Sequence, residues 1–294
     1  SRMPDTGTEL LGSKLPFPII SAPVGFQGSI HAQKELPTVK GTGLAGTLYV
    51  ASSVTQLTLE DIAASTNNDK WFQPYIPASR PFAIEMLQRA KASGYKAIVL
   101  TVDAFVTSNR ERSTRLIGVP VPNLALGNVP KTPGVSGSAM AMKADLSWED
   151  IDFCRSQTGL PVIVKGVLSA AQAVECERHG CAAVWLSNHG GRQLDNTPSA
   201  MTVLPRVAAA LKGRLPVIAD GGFYRGQDVF RAIALGASAA ALGRPLLYGS
   251  ALGGAAGVQS VYEHLKNELI MTMQLAGTPN IKSIVSSCVE RAEV

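Results

Sequence analysis

The chain has 294 residues, 46% of them hydrophobic and 17% charged, with 28 glycines and 18 prolines; this excludes a disordered chain and fits a globular protein with a sizeable core. Its formal charge of +5 comes from scattered Lys and Arg, with no block of like charge and no basic stripe interleaved with aromatics, so no nucleic-acid partner is expected. No apolar run is long enough for a membrane span and Ser1-Arg2-Met3-Pro4 holds no signal region, so a cytoplasmic protein is expected, although a leader already removed would leave no mark.

In chain order, eight short and almost wholly apolar runs recur, at residues 18–24, 47–52, 71–76, 97–103, 161–166, 182–187, 216–221 and 239–244. Apolar runs without alternation are what a parallel sheet buried on both faces requires. Between them the spacing predicts helices over 59–64, 80–94, 148–157, 170–179, 202–211 and 226–235. In the second of these, Phe82, Ile84, Met86, Leu87 and Ala90 recur mostly at three- and four-residue intervals, and Gly94 suits a C-terminal cap. Eight strand–helix units predict an α/β fold, a single (β/α)8 TIM barrel over residues 1–294, with its chemistry at the C-terminal ends of the strands. One long irregular stretch, 118–145, follows the fourth strand and is rich in proline and glycine, as either a lid or a mobile insertion would be. The cysteines Cys154, Cys176, Cys181 and Cys288 have neither metal-ligand spacing nor a disulfide pattern, so no metal is expected and the first three should be reduced and buried.

Polar residues collect at one end of these runs. Ser52 ends the second, Gln73 and Tyr75 the third, Thr101 and Asp103 the fourth, Lys165 the fifth, Ser187 and His189 the sixth, Asp220 the seventh, and Gly243 with Arg244 the eighth. That is the distribution of an active-site face. Asp220-Gly221-Gly222 and Leu242-Gly243-Arg244 follow the last two strands, where such barrels hold a phosphate with backbone N–H groups and a guanidinium. Of the four histidines only His189 combines a strand-end position with paired glycines and a nearby Arg192. It is the candidate base, with Asp103 to hold its tautomer, and Arg110 and Arg192 to grip a carboxylate.

With those residues in place, the chain resembles the FMN-dependent family that oxidises 2-hydroxy acids, which includes glycolate oxidase, lactate oxidase and flavocytochrome b2, and is slightly nearer to lactate oxidase. The resemblance rests on Val164-Lys165-Gly166, residues 187–195, Asp220-Gly221-Gly222 and Leu242-Gly243-Arg244-Pro245, supported by Ala22-Pro23, Ser52-Ser53, Trp71-Phe72-Gln73-Pro74-Tyr75 and Leu100-Thr101-Val102-Asp103. It implies FMN as cofactor. It further implies that the backbone around Ala22, Pro23 and Val24, with Ser52, Gln73 and Thr101, contacts the flavin ring, and that Lys165 lies beside flavin N1 and O2. Ser187 would meet the flavin or its ribityl chain, Asp220 the ribityl hydroxyls, and Gly222, Arg225, Gly243 and Arg244 the phosphate. His189 would be the base, Asp103 its partner, Arg110 and Arg192 the carboxylate clamp, and Tyr75 a hydroxyl-binding group. The implied reaction oxidises a small L-2-hydroxy acid of the lactate or glycolate class to the 2-keto acid. The implied electron acceptor is oxygen, a quinone or a cytochrome, and the implied assembly is a homotetramer.

Three features depart from the family pattern. Its N-terminal helical segment, which supplies another tyrosine, is expected to be missing. Tyr224 stands where a phosphate-binding arginine is usual, ahead of Arg225, and Pro74 replaces an apolar residue beside Tyr75. The alternatives left open are a flavin- or phosphate-binding barrel of another reaction class, an isomerase or nucleotide dehydrogenase, and a non-catalytic flavin-binding remnant.

Overall fold

A computed structural model describes residues 3–106, 108–111, 115, 125–130 and 141–290. The chain starts with an antiparallel hairpin, β1 (Thr8–Leu10) and β2 (Ser13–Leu15). Eight parallel strands follow: β3 (Ile19–Ser21), β4 (Tyr49–Ser52), β5 (Lys70–Gln73), β6 (Ile98–Thr101), β7 (Val162–Val167), β8 (Ala183–Leu186), β9 (Val217–Asp220) and β10 (Ala239–Leu242). They lie in chain order around the sheet, and β10 returns to pair with β3, Ala241 opposite Ile20. The ring closes between β3 and β4, where Ser21 N–H donates to Leu48 O at 3.1 Å and Thr47 Oγ1 to Ile19 O at 2.6 Å. The fold is the (β/α)8 barrel that the eight apolar runs predict.

Strand residues alternate between two buried layers, which is why the runs read as continuously apolar. Ile20, Val50, Trp71, Val99, Ile163, Trp185, Ile218 and Ala241 pack inside the barrel with Leu10 and Leu15 of the hairpin, which close its lower end. Ile19, Ala51, Phe72, Leu100, Val164, Leu186, Ala219 and Leu242 face the surrounding helices. Those helices are α1 (Leu36–Leu44), α2 (Leu59–Ala64), α3 (Arg80–Ala92), α4 (Glu149–Thr158), α5 (Ala170–Arg178), α6 (Ala200–Leu211), α7 (Gly226–Ala234) and α8 (Arg244–Leu275). Thr58, Ser79, Ser169 and Ser199 start four of them, each accepting a backbone N–H of the first turn on its side-chain oxygen.

The predicted helices lie within a few residues of α2 to α7. The hairpin, α1 and α8 carry no sequence prediction. Helix α1 reads Leu-Pro-Thr-Val-Lys-Gly-Thr-Gly-Leu, poor in helix formers, and is held by packing against α8 rather than by propensity. Helix α8 is broken at Gly253 and Gly254 into two arms, which hides its length from a periodicity reading. The predicted loop at 118–145 lies for the most part outside the described residues. Among the described residues no helix is long and apolar enough to cross a membrane.

Candidate active site

Extending the inward-facing alternation one step up each strand gives Ala22, Ser52, Gln73, Thr101, Lys165, Ser187, Asp220 and Gly243. The barrel interior is packed below them, so these positions form the floor of a cavity of about 1000 Å³ at the C-terminal end. Ala22, Ser52, Lys165, Asp220 and Gly243 line the cavity, with Pro23, Val24, Tyr75, Arg110, His189, Arg192, Gly222 and Arg244 on its walls. Gln73, Thr101 and Ser187 are buried within the floor.

A buried ion pair anchors one side. Lys165 Nζ donates to Ser187 Oγ at 2.8 Å and lies 3.3 Å from Asp220 Oδ2. Asp220 also accepts from Ser187 Oγ at 2.7 Å and from Trp185 Nε1 at 2.9 Å. With its carboxylate met by three donors, Asp220 compensates the lysine at low solvent exposure. An ammonium has three hydrogens and two are used here, so one is left for whatever occupies the cavity that Lys165 lines.

The proton-handling groups sit above. His189 takes a left-handed backbone conformation, φ 58°, after Ser187 and Asn188, and its N–H donates to Ser187 Oγ at 3.0 Å. This turn brings its Nδ1 to 2.9 Å from Asp103 Oδ1 and its Nε2 to 3.3 Å from the Tyr75 hydroxyl. A carboxylate only accepts hydrogen bonds, so the neutral ring carries its proton on Nδ1, and its Nε2 lone pair accepts from the Tyr75 hydroxyl at the cavity wall until a substrate hydroxyl takes that place. Asp103 fits because β7 bulges at Gly166, where φ is 106° and a Cβ would stand 2.7 Å from the Asp103 Cβ and Cγ. Burial, with the Asp103 carboxylate beside it, pushes the Tyr75 phenol up to about 12, so it stays protonated.

Arg192 makes no hydrogen bond or ion pair from its guanidinium to a described residue and lines the cavity. Desolvation, together with the like charges of Arg110 and Arg244, holds its pKa below the ordinary arginine value. Arg110 is tied to the His189 loop: Nε donates to Arg192 O at 3.1 Å and Nη2 to Gln193 Oε1 at 2.9 Å. Three arginines converging on one cavity call for an anionic ligand or two.

At the far wall, Gly222 follows β9 and Gly243 immediately precedes the first turn of α8, and Arg244 Nη2 donates to Gly190 O at 2.6 Å. Arg225, read from the sequence as a phosphate ligand, does not line this cavity. Its guanidinium turns outward to Glu268 Oε1 at 3.1 Å, and its backbone begins α7. The neighbouring Tyr224 lines the cavity instead.

Comparison with known proteins gives this geometry its lineage. The family model described as FMN-dependent dehydrogenase matches residues 1–291. The chain belongs to the FMN-dependent dehydrogenase family. A peroxisomal (S)-2-hydroxyacid oxidase of Arabidopsis thaliana is 39% identical to it over 95% of this chain and 79% of that protein. An L-lactate oxidase of a Nostoc species is 38% identical over 95% and 81%. The solved structure of an (S)-mandelate dehydrogenase, described as a monotopic membrane protein, superposes with a TM-score of 0.89 at 32% identity, over 99% of this chain and 85% of that one.

For a member of the FMN-dependent dehydrogenase family the cavity must accept FMN, and its polar groups fit one. Gln73 Nε2 and Thr101 Oγ1 are buried, neighbours on β5 and β6, and without a hydrogen-bond partner among the described residues. Such atoms cost free energy unless a ligand satisfies them, and a flavin ring presents the acceptors and donors to do so. The glycine-lined start of α8, with Arg244, suits the phosphate. Two residues escaped sequence reasoning. Gln193 bonds both Asp103 O and Arg110, and the buried Glu35 carboxylate accepts from Gln56 N and Leu57 N at 3.0 Å each. Both act through backbone or neighbouring side chains, so no strand-end pattern marks them.

Proposed function

We propose that the protein oxidises small L-2-hydroxy acids of the lactate or glycolate class to 2-keto acids. The observation that carries this reading is the chain Asp103–His189–Tyr75, facing Arg192 across a cavity with a phosphate cradle at its other end. Ala22, Pro23, Val24, Ser52, Gln73 and Thr101 would hold the flavin ring, Lys165 with Ser187 and Asp220 its N1 edge and ribityl chain, and Gly222, Gly243 and Arg244 its phosphate. When bound, FMN supplies an acceptor for two electrons and the substrate α-hydrogen.

The chain's own residues do the rest. Arg192, with Arg110, neutralises and orients the substrate carboxylate. The protonated Tyr75 donates a hydrogen bond to the substrate hydroxyl oxygen. His189 takes the hydroxyl proton on Nε2, and Asp103 stabilises the imidazolium that results. As the C–O bond becomes a carbonyl, the α-carbon gives up its hydrogen with two electrons, and the product keeps its carboxylate on the arginines. The Lys165 ammonium is placed to balance the negative charge that builds on its side of the cavity. Oxygen, a quinone or a cytochrome then takes the electrons, and the family reading carries the expectation of a homotetramer.

Purified protein reconstituted with FMN and mixed anaerobically with L-lactate or glycolate should lose its flavin colour. Flavin that binds but is reduced by no 2-hydroxy acid would sink the reading. His189→Ala should keep FMN affinity while reduction slows by about a hundredfold or more; near-normal reduction would remove His189 from its role.

A further inference from the structure

We propose that Gln193 is a positioning residue that sets the geometry of the Asp103–His189 pair and of Arg110 at once. Its carboxamide is used at both ends. Nε2 donates to Asp103 O at 3.0 Å and Val106 O at 3.2 Å, while Oε1 accepts from Arg110 Nη2 at 2.9 Å. Both amide hydrogens and one lone pair of oxygen are therefore committed.

The bonds close a ring. His189 and Gln193 belong to one loop, so the Gln193 side chain pins the backbone of Asp103 to the same loop that carries the histidine its carboxylate holds. Asp103 Oδ2 has no partner among the described residues, so nothing else fixes that carboxylate from its far side. The ring thus sets the Nδ1 to Oδ1 contact. A second ring shares the amide: Arg110 Nε and Ser108 Oγ both donate to Arg192 O, at 3.1 and 2.7 Å, and Gln193 Oε1 holds the outer nitrogen of the same guanidinium. One side chain therefore relates the proton acceptor to the carboxylate-binding cations. Geometry of this kind matters because a misplacement of about 1 Å can cost about a hundredfold in rate.

The proposal rests on the proposed roles of His189, Asp103 and Arg110, and two readouts separate its failure from theirs. In protein with 15N-labelled histidine, the neutral His189 ring should be protonated at Nδ1, and Gln193→Met, which keeps the length but has no amide, should convert it to a mixture of tautomers. This measurement involves no substrate. Identical ring shifts in the two proteins would overturn the proposal, whatever the substrate turns out to be. With a substrate that reduces the wild type, Gln193→Met should slow flavin reduction at saturation by about ten- to a hundredfold. The half-saturating concentration should rise and the FMN dissociation constant stay within about twofold. A saturated rate equal to wild type would overturn it too, whereas a wild type that no 2-hydroxy acid reduces would refute the proposed reaction and leave the tautomer test standing.

Discussion

Arg244 donates to Gly190 O at 2.6 Å, and a Cβ on Gly190 would meet the same guanidinium nitrogen at 2.5 Å. Gly190→Ala should therefore push Arg244 off the phosphate cradle and weaken FMN binding by about tenfold, the loss of roughly one charge-assisted hydrogen bond. Gly191→Ala is the matched control. It sits at φ 72° with nothing within 4 Å of its Cβ, so it bears the backbone strain of about 1 kcal/mol without the collision. Titrating the apoprotein with FMN by fluorescence tests this, and equal losses in the two variants would refute it. Tyr75 allows a pH test. Its folded pKa is raised from 10.0 to about 12, so the proton is bound more tightly in the folded state, and that contribution is complete below about pH 10 and fades towards about pH 12. Tyr75→Phe should accordingly gain in urea stability relative to wild type as pH climbs through that window. The other raised tyrosines are present in both proteins and cancel.

At the scale of elements, Glu35 joins two loops that wall the cavity. It is fully buried, just before α1, and its carboxylate receives backbone N–H groups from the segment after β4 at Gln56 and Leu57, and more weakly from Gln27 after β3. Glu35→Ala would strand those donors in the interior and should cost about 2–4 kcal/mol in urea unfolding, with Glu35→Gln less harmful because it keeps one acceptor. A loss below about 0.5 kcal/mol would show that the loops hold without it. The contrast with the strands explains what could be read from sequence. Each barrel strand is buried on both faces over three to six residues, so runs such as Val162-Ile163-Val164 announce themselves, and the polar residue that follows marks the cavity floor. Glu35 follows a lysine in a polar stretch and looks like a solvated charge until the fold brings the β4 loop over it. Gln193 lies inside the 187–195 motif, but an amide side chain there reads as one more polar loop residue until the fold brings Asp103 O and Arg110 to it. Arg225 fails in the other direction: its spacing suits the phosphate, but capping α7 and pairing with Glu268 turn it outward. The cysteine expectation rested on local pattern and is matched by burial, with Cys154, Cys176 and Cys181 enclosed and only Cys288 partly exposed.

The molecule as a whole is sealed at one end and charged at the other. Among the described residues, Leu10 and Leu15 of the hairpin close the barrel from below and Trp71 and Trp185 fill its middle, so the cavity opens at the C-terminal face. There Arg110, Arg192 and Arg244 repel one another, and that repulsion adds to burial in holding the Arg192 pKa below the ordinary arginine value. An anion bound to the folded state alone relieves it, and by mass action stabilises the fold by about 2.7 kcal/mol at a free concentration a hundred times its dissociation constant. For a chain of this size that corresponds to a rise in Tm of roughly 5 °C. Adding FMN to the apoprotein should produce such a rise, inorganic phosphate a smaller one by filling only the cradle, and both should shrink as sodium chloride screens the arginines. In Arg244→Ala the phosphate response should vanish while part of the FMN response survives, since Gln73, Thr101 and Lys165 would still meet the flavin ring. A phosphate response unchanged in that variant would place the anion elsewhere on the protein and dissociate the cradle at the start of α8 from cofactor binding.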